Sequence, residues 1–353
     1  MTAPVEFGLD TFLPVTVDEA GTAVGGDEVI RNAVEQAVLA ERVGIDSFNI
    51  GEHYRTEFMD SANHVVLAAI AGRTERIRLG TAVTVLSSDD PVRLYERFAT
   101  LDAISRGRAE IILGRGSFIE SFPLFGYDLS DYEVLFEEKL GLFTELLKEK
   151  PVTWQGTTRA PLNNADVFPK TENGLKAWVG VGGSPESVVR AARHGLGLML
   201  AIIGGPADRF RPFVDLYHRS LTALGSEMLP VGVHSPGHVG ETDQQAWEEA
   251  YPGFEELNNT IGRERGWPPY NRMRFQHDVG PEGAAYVGSP ETVAQKIAQT
   301  ARTLGIARFD MKYASGSISH DKLMTSIELY GTRVLPRVHE LLAEDPGPRA
   351  SAA

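Results

Sequence analysis

Residues 177–203 have the sequence AWVGVGGSPESVVRAARHGLGLMLAII and contain a complete strand–helix–strand unit. The apolar run Ala177–Val181 predicts a strand, and a glycine-rich turn separates it from a helix that we predict over Pro185–His194. A second apolar run, Leu198–Ile203, predicts the next strand. Both runs are continuous rather than alternating, which is typical of parallel strands that are covered on both faces.

The same unit recurs along the whole chain, and we predict eight strands in all. Eight β/α units with no strong break in composition predict an α/β protein with the (β/α)₈ architecture of a TIM barrel. A doubly wound open sheet is the alternative, because periodicity does not reveal whether a sheet closes. The predicted strands are Val5–Leu9, Ser47–Gly51, Arg78–Val85, Ala109–Leu113, Ala177–Val181, Leu198–Ile203, Pro230–Val239 and Arg308–Tyr313.

Two segments interrupt this alternation. Residues 150–176 are rich in Pro, Thr and Asn and predict a long loop that contains a hairpin. After strand seven we predict a helix over Asp243–Glu249 only, because Tyr251–Gly288 has few helix-forming features. Long insertions in compact domains are commonly functional lids, so we predict a lid there. Residues 1–343 are then expected to form a single domain, and residues 344–353 a disordered tail.

The composition excludes several classes of function. The chain has 353 residues, a formal net charge of −14 and no cysteine. An acidic protein is unsuited to broad binding of nucleic acid or anionic membranes, and disulfides, thiolate metal sites and cysteine nucleophiles are excluded. The N-terminus has no signal-peptide pattern and the longest apolar stretch, near Leu196–Ile203, is too short to span a bilayer, so we expect a cytoplasmic protein. No metal site is predicted, because the strand ends lack paired histidines.

Polar residues follow two of the predicted strands, where a barrel forms its active site. His53 follows strand two and is suited to acid–base chemistry near neutral pH, although a histidine bonded to a neighbouring loop has the same pattern. Arg115 follows strand four between Gly114 and Gly116. Its planar guanidinium group is suited to binding a phosphate or carboxylate ligand. A salt bridge to one of the many acidic side chains of the chain is an equally good interpretation.

The glycine turn after strand five predicts an anion site. Gly182 and Gly183 let backbone amides approach a ligand, Ser184 is a natural N-cap, and Ser187 lies one turn into the helix. An ordinary capped βα turn is the alternative. A near-copy, Gly288-Ser289-Pro290-Glu291, precedes the last crossover helix, so the pattern alone does not choose between the two turns. Neither matches a dinucleotide-binding or Walker motif.

Taken in order, these segments resemble the bacterial luciferase-like family of flavin-dependent monooxygenases. The resemblance is densest from Phe48 to Asp128, where it includes Glu52-His53, Leu79–Leu86 and the sequence Gly114-Arg115-Gly116. It resumes at Trp178–Leu198 and at the C-terminal sequence Ser326-Ile327-Glu328-Leu329-Tyr330.

The resemblance implies a TIM-like barrel that binds reduced FMN at the C-terminal ends of its strands. It makes His53 the acid–base residue, and it assigns the flavin phosphate to the first of the two Ser-Pro-Glu turns, with Arg115 as the charged partner. A cis peptide bond between Ala82 and Val83 is implied beside the isoalloxazine. The full set of implied cofactor-binding residues is Glu52, Ala82, Val83, Arg115, Ser117, Val181, Gly182, Gly183, Ser184 and Ser187.

The implied reaction uses reduced FMN, supplied by a separate NAD(P)H-dependent flavin reductase, and O₂. A 4a-peroxyflavin would oxygenate a small organic substrate such as an aldehyde or ketone, with the lid excluding water and the protein acting as a homodimer. A deazaflavin-dependent oxidoreductase and a non-catalytic flavin carrier are the alternatives. Two departures from luciferases, Tyr54 in place of a second histidine and Gly114 in place of a cysteine, argue against light emission and long-chain aldehydes.

Overall fold

The computed structural model describes residues 5–345. Twelve strands occur within these residues, and the order along the main sheet is β3-β2-β1-β12-β10-β9-β8-β5-β4, with every pairing parallel. All eight predicted strands are present. The strands are β1 (Glu6–Thr11), β2 (Ser47–Ile50), β3 (Arg78–Thr81), β4 (Thr84–Val85), β5 (Glu110–Gly114), β6 (Val152–Trp154), β7 (Leu162–Ala165), β8 (Lys176–Val181), β9 (Gly197–Ala201), β10 (Val231–Val239), β11 (Tyr286–Gly288) and β12 (Arg308–Lys312).

Helices cover the outside of this sheet. Several begin at side chains that the sequence marks as caps. Asp90 accepts hydrogen bonds from the backbone N–H groups of Val92 and Arg93, and Pro91 is the first helical residue, where its missing N–H costs nothing. The helices are α1 (Gly26–Arg42), α2 (Asn63–Ala71), α3 (Pro91–Ser105), α4 (Ser121–Phe125), α5 (Tyr132–Leu146), α6 (Pro185–Arg193), α7 (Arg211–Ala223), α8 (Asp243–Arg265), α9 (Arg272–Val279), α10 (Pro290–Leu304), α11 (His320–Leu329) and α12 (Leu335–Glu344).

The sheet closes on itself between β3 and β5. The backbone N–H of Leu79 donates to the carbonyl oxygen of Arg108 at 3.0 Å, and Leu79 and Ala109 form an isolated parallel bridge. Thr81 Oγ1 accepts from the N–H of Ile112 at 3.3 Å. The sheet is therefore a nearly closed parallel barrel, which confirms the TIM-barrel prediction over the open sheet.

A fully buried ion cluster fills the N-terminal end of the barrel. Arg308, the first residue of β12, binds Glu110 and Asp310, and it also donates to the hydroxyl of Ser47 at 2.9 Å. Burial, the largest single influence, acts to raise the pKa of Glu110, but the charges of Arg308, Arg78 and Lys176 and the hydrogen bond from Arg308 together lower it. Gly8 leaves room for this cluster, because a Cβ there would lie 2.1 Å from an Asp310 oxygen. This end of the barrel is closed, so ligand access is confined to the opposite end.

The prediction for the segment after strand seven is partly wrong. The insertion exists, but Tyr251–Gly288 is mainly helical: α8 continues to Arg265, α9 follows, and β11 pairs with β10. Pro252 and the weak helix former Asn258 disfavour a helix, so the sequence does not predict that α8 continues through them. Tertiary packing stabilises the helix despite its low helix propensity. The ring of Phe275 on α9 contacts Tyr251 and Phe254 on α8 at centroid distances of 5.4 and 5.5 Å.

Two further predictions concern the long loop before β8 and the C-terminal tail. Residues 150–176 contain an antiparallel hairpin formed by β6 and β7, as predicted. Glu344, which the sequence assigns to a disordered tail, is the last residue of α12, and residues 346–353 of that prediction lie outside the described residues. No helix within residues 5–345 is long and apolar enough to cross a membrane.

Candidate active site

A cavity of about 750 Å³ opens at the C-terminal ends of the barrel strands. Strand ends form its floor, and the insertion after β10 forms its roof. Eight of the predicted site residues line it: Glu52, His53, Ala82, Val83, Arg115, Ser117, Val181 and Gly182. The other three, Gly183, Ser184 and Ser187, lie beyond its edge at the start of α6.

His53 is fixed by a buried carboxylate. Nδ1 of its ring lies 2.8 Å from Oδ2 of Asp60, and its backbone N–H donates to Oδ1 of the same residue at 2.9 Å. Asp60 is fully buried, and this burial raises its pKa even though the contact with His53 acts in the opposite direction. Nε2 has no hydrogen-bond partner among residues 5–345, so this nitrogen is available for a hydrogen bond with a ligand.

Glu52 is a buried acid on the neighbouring wall. Its Oε1 accepts from the hydroxyl of Tyr54 at 2.5 Å, and its Oε2 accepts from the backbone N–H of Val85 at 2.9 Å. Burial raises the pKa of Glu52 to about 7, against the opposite effect of these two hydrogen bonds. The residue therefore changes its charge close to neutral pH. Tyr54 is part of this wall.

The turn between β3 and β4 shapes the floor. The peptide bond between Ala82 and Val83 is cis, at the position that the resemblance implied. Val83 packs over two glycines: a Cβ on Gly114 would lie 2.4 Å from Val83 Cγ2, and one on Gly180 would lie 2.7 Å from Cγ1. Gly114 therefore provides the space that Val83 fills.

Arg115 lies at one end of the cavity, next to the start of α6. Its guanidinium pairs with Glu133 on α5, so the salt-bridge alternative describes the contact that is present. Arg190 on α6 also reaches Glu133, at 3.2 Å, and it donates to the hydroxyl of Ser187 at 3.2 Å. Two guanidinium groups and a hydroxyl therefore lie near one another beside this end of the cavity, with Glu133 and Glu137 as their present carboxylate partners, the latter accepting from Arg190 Nε at 2.7 Å. Guanidinium groups of this kind are suited to binding an anion.

The start of α6 has the capped geometry that the sequence predicts. Ser184 accepts a hydrogen bond from the N–H of Ser187, and its hydroxyl donates to Glu186 at 2.7 Å. Beside this turn, Cβ atoms added to Gly182 and Gly183 would meet no atom within 4 Å. The backbone of the turn is thus open to a ligand, while its hydroxyl is engaged by an acidic neighbour.

Helix α8 covers the cavity with one face. Phe254, Leu257, Ile261 and Arg265 line the cavity at the three- and four-residue spacing of one helical face. Arg265 also donates to the carbonyl oxygen of Ser117 at 2.9 Å, which joins the roof to the loop after β5.

Arg55 forms a second connection between the roof and the rim. It donates to Glu264 on α8 at 2.6 and 2.9 Å, to Glu57 at 3.0 and 3.3 Å, and to Glu120 after β5. Its side chain is 8% exposed. One guanidinium therefore joins three segments of the chain above the cavity.

Sequence reasoning missed a polar group that is carried by β1, β10 and β12. Lys312 and His234 line the cavity, and the buried Asp10 binds Nδ1 of His234. Phe12 lies between them, with the Lys312 ammonium 4.6 Å from its ring centre and the His234 ring stacked at 6.2 Å. Asp10, directly after the first apolar run, and Lys312, within the last run, were the available indication of this group.

Comparison with known proteins defines the class. The profile of luciferase-like monooxygenases matches residues 8–308. The alpha chain of alkanal monooxygenase from Photobacterium leiognathi is 22% identical over 342 residues, which cover 89% of this chain and 94% of that protein. Protein y4vJ of Sinorhizobium fredii is 30% identical over 327 residues, covering 89% and 93%. The chain therefore belongs to the family of luciferase-like monooxygenases, a family of oxidoreductases.

Solved structures share the fold. Monooxygenase RslO1 from Streptomyces bottropensis superposes with a TM-score of 0.83 at 24% identity, over 94% of this chain and 99% of that one. The oxygenating constituent of 3,6-diketocamphane monooxygenase from Pseudomonas putida, a type II Baeyer–Villiger enzyme in complex with FMN, gives 0.74 at 18% identity over 95% and 99%. A secondary alcohol dehydrogenase dependent on coenzyme F420 gives 0.73 at 16% identity over 95% and 99%. The fold therefore accommodates either kind of flavin.

Proposed function

We propose that this protein is an FMN-dependent monooxygenase that uses reduced FMN and O₂ to oxygenate a small organic substrate, an aldehyde or ketone. The observation that carries the proposal is a single cavity that joins an anion-binding end to an acid–base pair. Arg115 lines one end, and His53 with Glu52 lines the wall. A phosphate-bearing cofactor of elongated shape fits this arrangement.

The residues at the anion-binding end suit the FMN phosphate. Arg115, Arg190 and Ser187 offer charged and neutral donors, and the open space beside Gly182 and Gly183 lets an anion approach the start of α6. A helix N-terminus also favours negative charge. Glu133, which pairs with both guanidinium groups, and Glu137, which accepts from Arg190 at 2.7 Å, would have to release them when the phosphate binds.

The floor of the cavity suits the flavin ring system. Ala82, Val83 and Ile112 line it with small or apolar groups, and an apolar surface with few polar atoms is typical of cofactor pockets. Bound reduced FMN supplies the electrons that activate O₂.

The protein contributes proton handling and exclusion of water. A carboxylate only accepts hydrogen bonds, so ionised Asp60 keeps the His53 proton on Nδ1 and leaves Nε2 facing the cavity as a proton acceptor. The face of α8 above the cavity excludes water, which limits the unproductive loss of oxygen that has been activated for transfer to the substrate.

The proposal includes two partners. A separate NAD(P)H-dependent flavin reductase supplies the reduced cofactor, because the reaction consumes it in every turnover. A homodimer is the proposed assembly, as the family resemblance implies.

The test is titration of the protein with FMN, riboflavin and coenzyme F420, followed by reoxidation of the bound reduced FMN in air. Tight binding of FMN, weaker binding of riboflavin, and oxygen-dependent conversion of a ketone or aldehyde support the proposal. Preference for coenzyme F420 supports the hydride-transfer alternative instead. Flavin binding without any oxygen chemistry identifies a carrier, and failure to bind any flavin removes all three.

A further inference from the structure

Lys312 is buried without adequate hydrogen-bond acceptors. It ends β12 inside the barrel, lines the cavity and is 6% exposed. Its Nζ donates to Ser315 Oγ at 3.4 Å and otherwise faces the ring of Phe12. No carboxylate oxygen within residues 5–345 lies within 4.0 Å of it. An ammonium has three donors, so two of them lack a protein partner.

Two other lysines with restricted exposure show how this chain normally accommodates an ammonium. Lys139, like Lys312, has one acceptor and one aromatic ring: it donates to the carbonyl oxygen of Ser87 at 2.6 Å and lies 4.1 Å from the ring centre of Tyr127. Lys296 donates to three carbonyl oxygens, those of Val279, Gly280 and Ala285, at 3.3, 2.7 and 2.7 Å. These two amines serve structural roles outside the cavity. Lys312 differs because its spare donors are at the cavity wall.

The charges around Lys312 favour a neutral acceptor over an anionic one. Asp10, its register partner on β1, is fully buried and has one oxygen, Oδ1, without a partner among the described residues. Asp60 lies behind the same wall, and Glu52 lines the cavity. A carboxylate ligand would meet these acids, whereas a carbonyl oxygen accepts from the ammonium without adding a charge.

The wall next to Lys312 is aromatic. The rings of Phe12 and Phe58 meet at 5.8 Å, and those of Phe58 and Phe118 at 6.3 Å. Such a surface packs well against flat, apolar molecules. The combination of an aromatic wall and one unsatisfied cation defines a site for an apolar body that carries a single acceptor oxygen.

We propose that Lys312 binds the carbonyl oxygen of the substrate, and that the substrate is an apolar, ring-bearing ketone or aldehyde packed against Phe12, Phe58 and Phe118. This inference rests on the proposed function and narrows its substrate class. A hydrogen bond from the ammonium polarises the carbonyl and strengthens as negative charge develops on its oxygen.

The test compares two probes of nearly equal shape, 2-acetylnaphthalene and 2-isopropenylnaphthalene, in which a methylene group replaces the carbonyl oxygen. Dissociation constants are measured for the wild type, Lys312→Met and Lys312→Gln, with the exposed Lys322→Met as the matched control. The ratio of ketone to alkene affinity should fall about tenfold in Lys312→Met, the size of a lost charge-assisted hydrogen bond. It should fall less in Lys312→Gln, which keeps a donor, and stay unchanged in Lys322→Met.

Folding and cofactor binding are measured in parallel. Circular dichroism and FMN affinity show whether the variants keep the fold. If Lys312→Met does not fold, the comparison is made with Lys312→Gln. An unchanged ratio in a folded variant overturns the proposal while leaving the FMN assignment intact. A Lys312-dependent ratio in a protein that binds no FMN supports the carbonyl site and removes the proposed function instead.

Discussion

Oδ2 of Asp60 lies 2.8 Å from Nδ1 of His53, while Oδ1 of the same carboxylate accepts the backbone N–H of His53 at 2.9 Å. The two oxygens thus have different tasks, since one holds the main chain and the other holds the ring. Together they fix both the position of the imidazole and the nitrogen that carries the proton. This geometry makes Asp60 a positioning residue for His53.

Asp60→Asn should separate these two tasks. The amide oxygen still accepts from the backbone N–H, but the amide nitrogen donates to Nδ1 and moves the ring proton to Nε2. We expect FMN affinity to be retained and turnover to fall about 100-fold, a typical contribution of a general acid–base group. Steady-state kinetics with FMN titration measure both. Surface Asp128→Asn is the control, and unchanged turnover in a folded Asp60→Asn protein would show that the ring proton is not used.

Glu52 should make stability depend on pH. Its pKa is raised to about 7 in the folded protein from an ordinary value of 4.5, so the folded state holds a proton that the unfolded state releases. Stability therefore falls as the pH rises from about 4.5 to 7. Glu52→Gln mimics the neutral acid and should raise the free energy of unfolding at pH 8 by about 2 kcal/mol, with little effect at pH 4.5. Urea denaturation at both pH values measures this, and an equal change at both would contradict the raised pKa.

Glu133 should compete with the flavin phosphate for Arg115. We expect Glu133→Gln to bind FMN about threefold more tightly, because a partly exposed ion pair is worth little. Arg115→Met should bind FMN about tenfold more weakly, because it loses a charged hydrogen bond. Riboflavin, which lacks the phosphate, is the matched ligand and should respond to neither change. Quenching of flavin fluorescence gives all the constants, and parallel effects on riboflavin would place the phosphate elsewhere.

The barrel was predictable because its determinants are local. Each β/α unit has a continuous apolar run and, in several cases, a cap followed by proline, as at Asp90-Pro91 and Ser184-Pro185. These features act within a few residues of one another, so they can be identified without tertiary information. His53 and Arg115 were found in the same way, because they follow strands directly.

What was missed depends on contacts between distant parts of the chain. Helix α8 continues past Pro252 because Phe254 packs against Phe275, a residue in another helix. The meeting of Asp10 with Lys312 depends on the pairing register of the first and last strands. Neither relationship has a local signature, so the roof of the cavity and the Lys312 site required the structure.

Arg55 should hold the roof in place. Its contacts with Glu264 and Glu120 link α8 to the loop after β5. Arg55→Met is expected to speed hydrogen exchange in residues 254–265 and to raise the dissociation rate of FMN about fivefold, which corresponds to losing about 1 kcal/mol. The exposed Arg93→Met, on α3, is the control. If exchange in this segment does not change, α8 is held by its apolar packing and not by Arg55.

Gly114 and Val83 should be coupled, since a Cβ on Gly114 would lie 2.4 Å from Val83 Cγ2. Gly114→Ala alone must displace a buried valine, and we expect a loss of about 2 kcal/mol in the free energy of unfolding, as for other overpacked interiors. Val83→Ala removes the obstructing methyl groups, so the double variant should be more stable than the sum of the two single changes predicts.

A double-mutant cycle measured by urea denaturation gives the coupling energy between Gly114 and Val83. Gly141→Ala on α5, where no atom lies within 4 Å of an added Cβ, is the matched control. Additive effects would mean that the methyl groups of Val83 do not cause the cost of Gly114→Ala. Strong coupling instead shows that Val83 fills the space that Gly114 leaves.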